Sequence, residues 1–256
     1  MELSDILFSA VEITGTVSFA VSGAMIAIKR QLDLFGVVAL GMITAFGGGV
    51  TRDLLLGAVP PRCFYSFHLL LAAFFAALAV FVIAYLFRRH YFRSETLIDN
   101  VNNFIDAVGL AAFTVSGVQT ALSAGHYENP AFCVFLGMLT GVGGGILRDV
   151  VSITMPLIFC KRVYATASIL GGAVFYICLR AGLSDTLSVV LCMLVIVAVR
   201  VCATVFHWDL PRIKEPDVLK VSIVFPHPKY CALVDYQLVV CPQSHRILPR
   251  LVCRGS

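Results

Sequence analysis

Two arginine–aspartate pairs, Arg52 with Asp53 and Arg148 with Asp149, each follow three consecutive glycines inside a long apolar stretch. A charge at the centre of a bilayer costs about 2.5 to 3.5 kcal/mol on insertion scales, so it is kept where it has a partner, water or a solute to handle. The chemistry open to such groups is the attraction and passage of ions or small polar solutes. One arrangement pairs them across the duplication, Arg52 with Asp149 and Arg148 with Asp53, because a helix turns about 100° per residue and neighbours point apart. The other makes each arginine an interfacial anchor that snorkels to the headgroups.

Two further acids are matched to each other, Glu12 and Asp106. An acid in a first helical turn complements the helix dipole, and that role suits Asp106, near the start of its span. Glu12 lies deeper in its span, where attraction of a cation is the better reading. The glycines themselves, Gly47, Gly48, Gly49 and Gly143, Gly144, Gly145, each cost a helix about 1 kcal/mol relative to alanine. They are expected to kink or unwind their spans, and unwound backbone at membrane depth must be buried or line a watery cavity. Gly41, Ala45 and Gly49, matched by Gly137, Gly141 and Gly145, also form small-residue ladders that let helices touch. Gly23 and Gly117, each after a serine, are further close-packing positions, and Phe19 and Phe113 read as packing residues rather than gates.

These side chains must be positioned by membrane-spanning helices. The 256 residues are 59% apolar and 13% charged, with a mean hydropathy of +0.91, far outside the range of soluble domains. Predominantly apolar stretches long enough to cross lipid run over 6–28, 34–56, 67–87, 104–124, 132–153, 163–179 and 187–206. No cleavable signal peptide is expected, since Glu2 and Asp5 stand where a basic region would be. Short loops after the first, third and fifth spans carry Lys29, Arg30, Arg88, Arg89, Arg93, Lys161 and Arg162, and the tail adds Arg212, Lys214 and Lys220; the opposite side has Arg62 and Arg180. This bias predicts an outside N-terminus and a cytoplasmic C-terminus. The net charge of +4 then reports topology, with no nucleic-acid partner.

The chain repeats itself. Glu12 to Gly23 matches Asp106 to Gly117 at five of twelve positions, and Gly41 to Asp53 matches Gly137 to Asp149 at eight of thirteen. Three spans per copy force the second copy to enter the membrane from the opposite side, the inverted construction used by many transporters. The expected fold is an all-α polytopic membrane protein of seven transmembrane helices: a first repeat over 5–92, a second, inverted repeat over 100–182, a seventh helix over 186–206 and a tail over 207–256. No catalytic, metal or cofactor site is expected. His68, His90, His126 and His207 are scattered without ligand spacing, the glycine runs lack the Lys-Ser/Thr of a phosphate loop, and Cys133, Cys178, Cys192 and Cys202 read as small packing residues.

The paired Gly-Gly-Gly-x-x-Arg-Asp blocks at Gly47 to Asp53 and Gly143 to Asp149, each preceded by Val-Ser-Gly, resemble the prokaryotic trimeric intracellular cation (TRIC) channel family. That family is also described as a bacterial glycine transporter family. The resemblance spans residues 5 to 206. It implies a non-enzymatic homotrimer in the bacterial inner (plasma) membrane, with a pore in each protomer for potassium and other monovalent cations, or alternatively a carrier of glycine or a similarly small solute. It also implies that the glycine triplets bend the second and fifth helices around the pore. The tail from Trp208 to Ser256, interrupted by Pro226, Pro228 and Pro242, departs from the family pattern and is too broken for another span.

Overall fold

A computed structural model describes residues 3–88, 95–156 and 163–206, and three strands at 220–222, 235–240 and 247–250. The basic residues Arg89, Arg93, Lys161, Arg162, Arg212 and Lys214, which carry part of the orientation signal, lie outside the described residues, as do His90, His207, Trp208, Pro226, Pro228 and Pro242.

Among the described residues, the regular structure of the membrane unit is all helical. Helices α1 (Leu3–Lys29), α2 (Leu34–Leu55) and α3 (Phe67–Leu86) form the first repeat, and α4 (Glu95–Ser123), α5 (Pro130–Val151) and α6 (Ala165–Arg180) the second; α7 (Asp185–Val205) follows. Six of these are long and apolar enough to cross a membrane, and α6 is a shorter apolar helix of 16 residues. Caps fix equivalent starts in the two copies. Asp33 accepts a hydrogen bond from the Gly36 amide at the head of α2, and Asn129 accepts one from Phe132 at the head of α5, satisfying amides that a helix start leaves open.

Helix α4 begins nine residues before the apolar stretch that announces it. The added turns carry Asp99, Asn102 and Asn103, which a hydropathy window rejects. The helix extends because two of these residues find partners in the protein: Lys29 Nζ lies 2.9 Å from Asp99 Oδ2, and Asn103 Nδ2 donates to Thr204 Oγ1 at 2.7 Å.

The repeats meet through α1 against α4 and α2 against α5. Here the expectation of unwinding is corrected: α2 and α5 run as uninterrupted helix through both glycine triplets. A methyl group at Gly48 would collide with the Thr140 carbonyl, and one at Gly144 with the Thr44 carbonyl. The two helices therefore touch backbone to backbone, and this close approach outweighs the poor helix propensity of glycine. Gly23 packs on Gly41, and Gly117 on Gly137, the same contact once in each repeat. Phe19 and Phe113 meet at 5.1 Å between ring centres, both buried. Cys133 of α5 and Cys192 of α7 are buried in one hydrophobic cluster.

The chain from Leu210 onward is a separate unit. It contains a small antiparallel sheet of β1 (Lys220–Ser222), β2 (Asp235–Val240) and β3 (Ile247–Arg250) in that order, with Ser222 opposite Asp235 and Val240 opposite Ile247. The apolar, β-branched end of β2 suits a strand.

Candidate functional site: two opposed vestibules

Two cavities open into the membrane unit at opposite ends. The first, about 400 Å³, is lined by Glu12 and Thr16 from the early part of α1, by Arg52 and Asp53 at the end of α2, and by Ser116 and Gln119 from the later part of α4. The second, about 440 Å³, is lined by Lys29 and Arg30 at the end of α1, by Asn103 and Asp106 from the early part of α4, and by Arg148 and Asp149 at the end of α5. The linings show that α1 and α4 run antiparallel, as inverted copies must. Each cavity ends on the arginine of one glycine block. Phe113 lines the first cavity, and the Phe19–Phe113 contact with the Gly48–Gly144 crossing forms the packed layer at the repeat interface.

Neither arginine is an interfacial anchor. Arg52 is 4% exposed and Arg148 is fully buried. Each bonds the aspartate beside it in sequence, Arg52 Nε to Asp53 Oδ1 at 2.8 Å and Arg148 Nε to Asp149 Oδ1 at 2.9 Å. This corrects the cross-repeat exchange of aspartates. An arginine is long enough to fold back over its neighbour, so the 100° step of the backbone does not separate the charged ends. What crosses between repeats is a hydrogen bond to serine. Arg52 Nη1 donates to Ser116 Oγ at 3.0 Å, and Arg148 Nη1 donates to Ser22 Oγ at 2.7 Å. The Val-Ser-Gly and Arg-Asp motifs are thus two halves of one contact, made twice. Asp53 also accepts from the Arg62 amide at 2.8 Å, which ties the 3-10 turn Arg62–Phe64 to the end of α2.

Asp106 is not a first-turn dipole residue. It sits eleven residues into α4 and is 1% exposed. Its Oδ1 accepts from Arg148 Nη1 at 2.7 Å, and its Oδ2 lies 3.4 Å from Arg200 Nη2. Glu12, its repeat equivalent, is half-buried and faces the first cavity, with no hydrogen bond or ion pair among the described residues. Arg200, Asn103 and Tyr164 were missed from sequence. Arg200 donates to Asn103 Oδ1 at 2.9 Å and stacks 4.7 Å from the Tyr164 ring centre. An arginine inside the seventh apolar stretch was the available signal. The Tyr164 hydroxyl and Arg148 Nη2 converge beside Gly145, where a methyl group would sit 2.8 Å and 3.7 Å from them.

No group of three or more potential metal ligands occurs among the described residues. Chemically, the site offers polar, charged surfaces aimed at each other from two sides of a membrane protein.

A fold of this kind, seven apolar helices with an internal inverted duplication and buried charge at its centre, defines a multi-pass membrane protein. The chain belongs to the family described as glycine transporter, whose model matches residues 9–85 and 103–180. It is similar to the UPF0126 membrane protein YvgT of Bacillus subtilis, 34% identical over 201 residues covering 78% of this chain and 93% of that one. It is also similar to the UPF0126 inner membrane protein YadS of Escherichia coli K12, 37% identical with the same shares covered. Among solved structures it resembles a TRIC cation channel studied for conductance, with a TM-score of 0.69, 34% identity and coverage of 82% of this chain and 98% of the other. A prokaryotic TRIC channel in 0.5 M KCl aligns with a TM-score of 0.72 at 30% identity, covering 80% and 99%.

Proposed function

We propose that this protein is a channel for monovalent cations, potassium first, conducting through a path in each protomer of a homotrimer in the bacterial inner membrane, with its N-terminus outside. The observation that carries this reading is the pair of opposed vestibules, each ending on a buried Arg-Asp pair and separated by the packed layer around Phe19, Phe113, Gly48 and Gly144. Small displacements of α2 against α5 at that layer would join them into one wet path, with hydroxyls and carboxylates along it and no deep site to trap the ion. Similarity to TRIC cation channels supports the same reading. In this view Gly47 to Gly49 and Gly143 to Gly145 are the contact that opens, and Arg52, Asp53, Arg148, Asp149, Glu12 and Asp106 set the charge beside it.

A second reading, a carrier for glycine or a similarly small solute, has one observation in its favour besides the family description. Glu12 and Arg52 line the same cavity, as the ammonium and carboxylate of a zwitterion require. Purified protein in liposomes separates the two. Voltage-driven potassium flux that does not saturate is the channel result. Saturable glycine counterflow without conductance overturns it in favour of the carrier. A cross-linking ladder that stops at three tests the assembly.

A further inference from the structure

The two vestibules are built from matched residues but do not carry matched charge. At the first, Arg52 stands with two carboxylates, Asp53 and Glu12. At the second, Arg148 stands with two carboxylates, Asp149 and Asp106. The mouths are also equal among the described residues: Arg62 lines one, and Lys29, Arg30 and Asp99 line the other, each with one excess positive charge. Duplication alone would leave the two ends equivalent.

Helix α7 breaks the equivalence, because it has no counterpart in the first repeat. It places Arg200, 2% exposed, against Asp106 and Asn103, with its guanidinium stacked on Tyr164. This fourth charge cancels the excess negative charge of the second vestibule. Among the described residues nothing equivalent reaches Glu12, which faces its cavity beside the hydroxyls of Ser9, Thr16 and Ser116.

We infer that Arg200 makes permeation direction-dependent: by neutralising the vestibule at Asp106 it leaves Glu12 as the cation-selecting carboxylate, so that monovalent cations are concentrated at the Arg52 end and not at the Arg148 end. The inference rests on the channel reading. Its physical basis is that, in clefts with low-dielectric walls, the end that is one charge more negative holds the higher local concentration of counter-ion.

The test is single-channel recording in planar bilayers under a KCl gradient, which reads rectification and the potassium-to-chloride permeability ratio together. The wild-type current rectifies. Glu12→Gln straightens the current–voltage curve and lowers the permeability ratio by roughly twofold to tenfold, the range expected for one charge acting through a partly watery cavity. Arg200→Gln also straightens the curve but raises the ratio, Arg200→Lys keeps the wild-type curve, and the double variant Glu12→Gln with Arg200→Gln rectifies in the opposite sense. Should Arg200→Gln fail to assemble, the half-buried Glu12→Gln decides alone. A linear wild-type curve, or Glu12→Gln with unchanged rectification and ratio, overturns the inference while the channel stands. Wild-type protein carrying no current overturns the channel reading itself.

Discussion

Arg148 of the second repeat donates a 2.7 Å hydrogen bond to Ser22 of the first. The same guanidinium holds Asp106 and Asp149, so a single buried side chain joins α1, α4 and α5. Replacing Arg148 with alanine leaves two buried carboxylates with their main counter-charge gone, which is expected to cost about 3 to 5 kcal/mol. Arg52→Ala is expected to cost less, because Arg52 holds one carboxylate, Asp53, where Arg148 holds two. Thermal unfolding of both variants in detergent, followed by loss of the monodisperse size-exclusion peak, gives the comparison; equal losses would contradict the asymmetry.

The glycine triplets are not interchangeable along their length. Gly48→Ala and Gly144→Ala each drive a methyl group into a carbonyl of the facing helix, an overpacking expected to cost about 1 to 3 kcal/mol or more. At Gly49 the nearest atom to an added methyl is Arg52 Nη2 at 3.8 Å. Gly49→Ala is therefore expected to be neutral or to stabilise by up to about 1 kcal/mol through helix propensity. The same unfolding measurement orders the three variants.

Phe113→Ala removes the ring that lines the first vestibule and packs on Phe19. If the aromatic pair belongs to the barrier, potassium efflux from loaded liposomes rises several-fold in this variant even though truncating a buried aromatic destabilises by about 3 to 5 kcal/mol. Efflux that stays at the wild-type level in intact, trimeric protein would remove the pair from the path.

Cys63 offers a test of orientation. It lies in the connection between α2 and α3 and lines the first cavity. Burial, and after it the charge of Asp53, pushes its thiol up from the ordinary value. Since the thiolate is the reacting form, a raised pKa means slower alkylation at neutral pH and a rate that climbs with pH. In a variant whose other cysteines are replaced, a membrane-impermeant maleimide added to intact cells is expected to label Cys63 slowly at pH 7 and faster at pH 9. Labelling only after the cytoplasmic side is exposed would reverse the N-out assignment.

Much of this architecture is legible in residue order because lipid is an unforgiving solvent. Six of the seven apolar stretches lie within two or three residues of the helices that contain them, and the duplicated motifs mark the interface that they build. What could not be read is how side chains turn. Adjacency of Arg52 and Asp53 suggested divergence, whereas the long guanidinium folds back on the carboxylate. The propensity cost of Gly48 suggested a break, whereas a facing carbonyl fills the groove that the missing side chain leaves. Asp106 looked terminal because its helix starts in a polar segment that partners such as Lys29, Thr204 and Arg200 make worth ordering. Arg200 stood in plain view inside an apolar stretch, but it has no repeat equivalent to draw attention to it.

The crossing of Gly48 with Gly144 joins a residue to its own copy, as does the contact of Phe19 with Phe113. That is the geometry of an isologous interface, in which each partner presents the same surface. The two halves of this chain meet as the subunits of an antiparallel dimer would, with the connection between α3 and α4 serving as a tether. Cutting the gene at that tether and expressing the halves together is expected to return a working assembly, whereas either half alone exposes a face that only its inverted twin can cover.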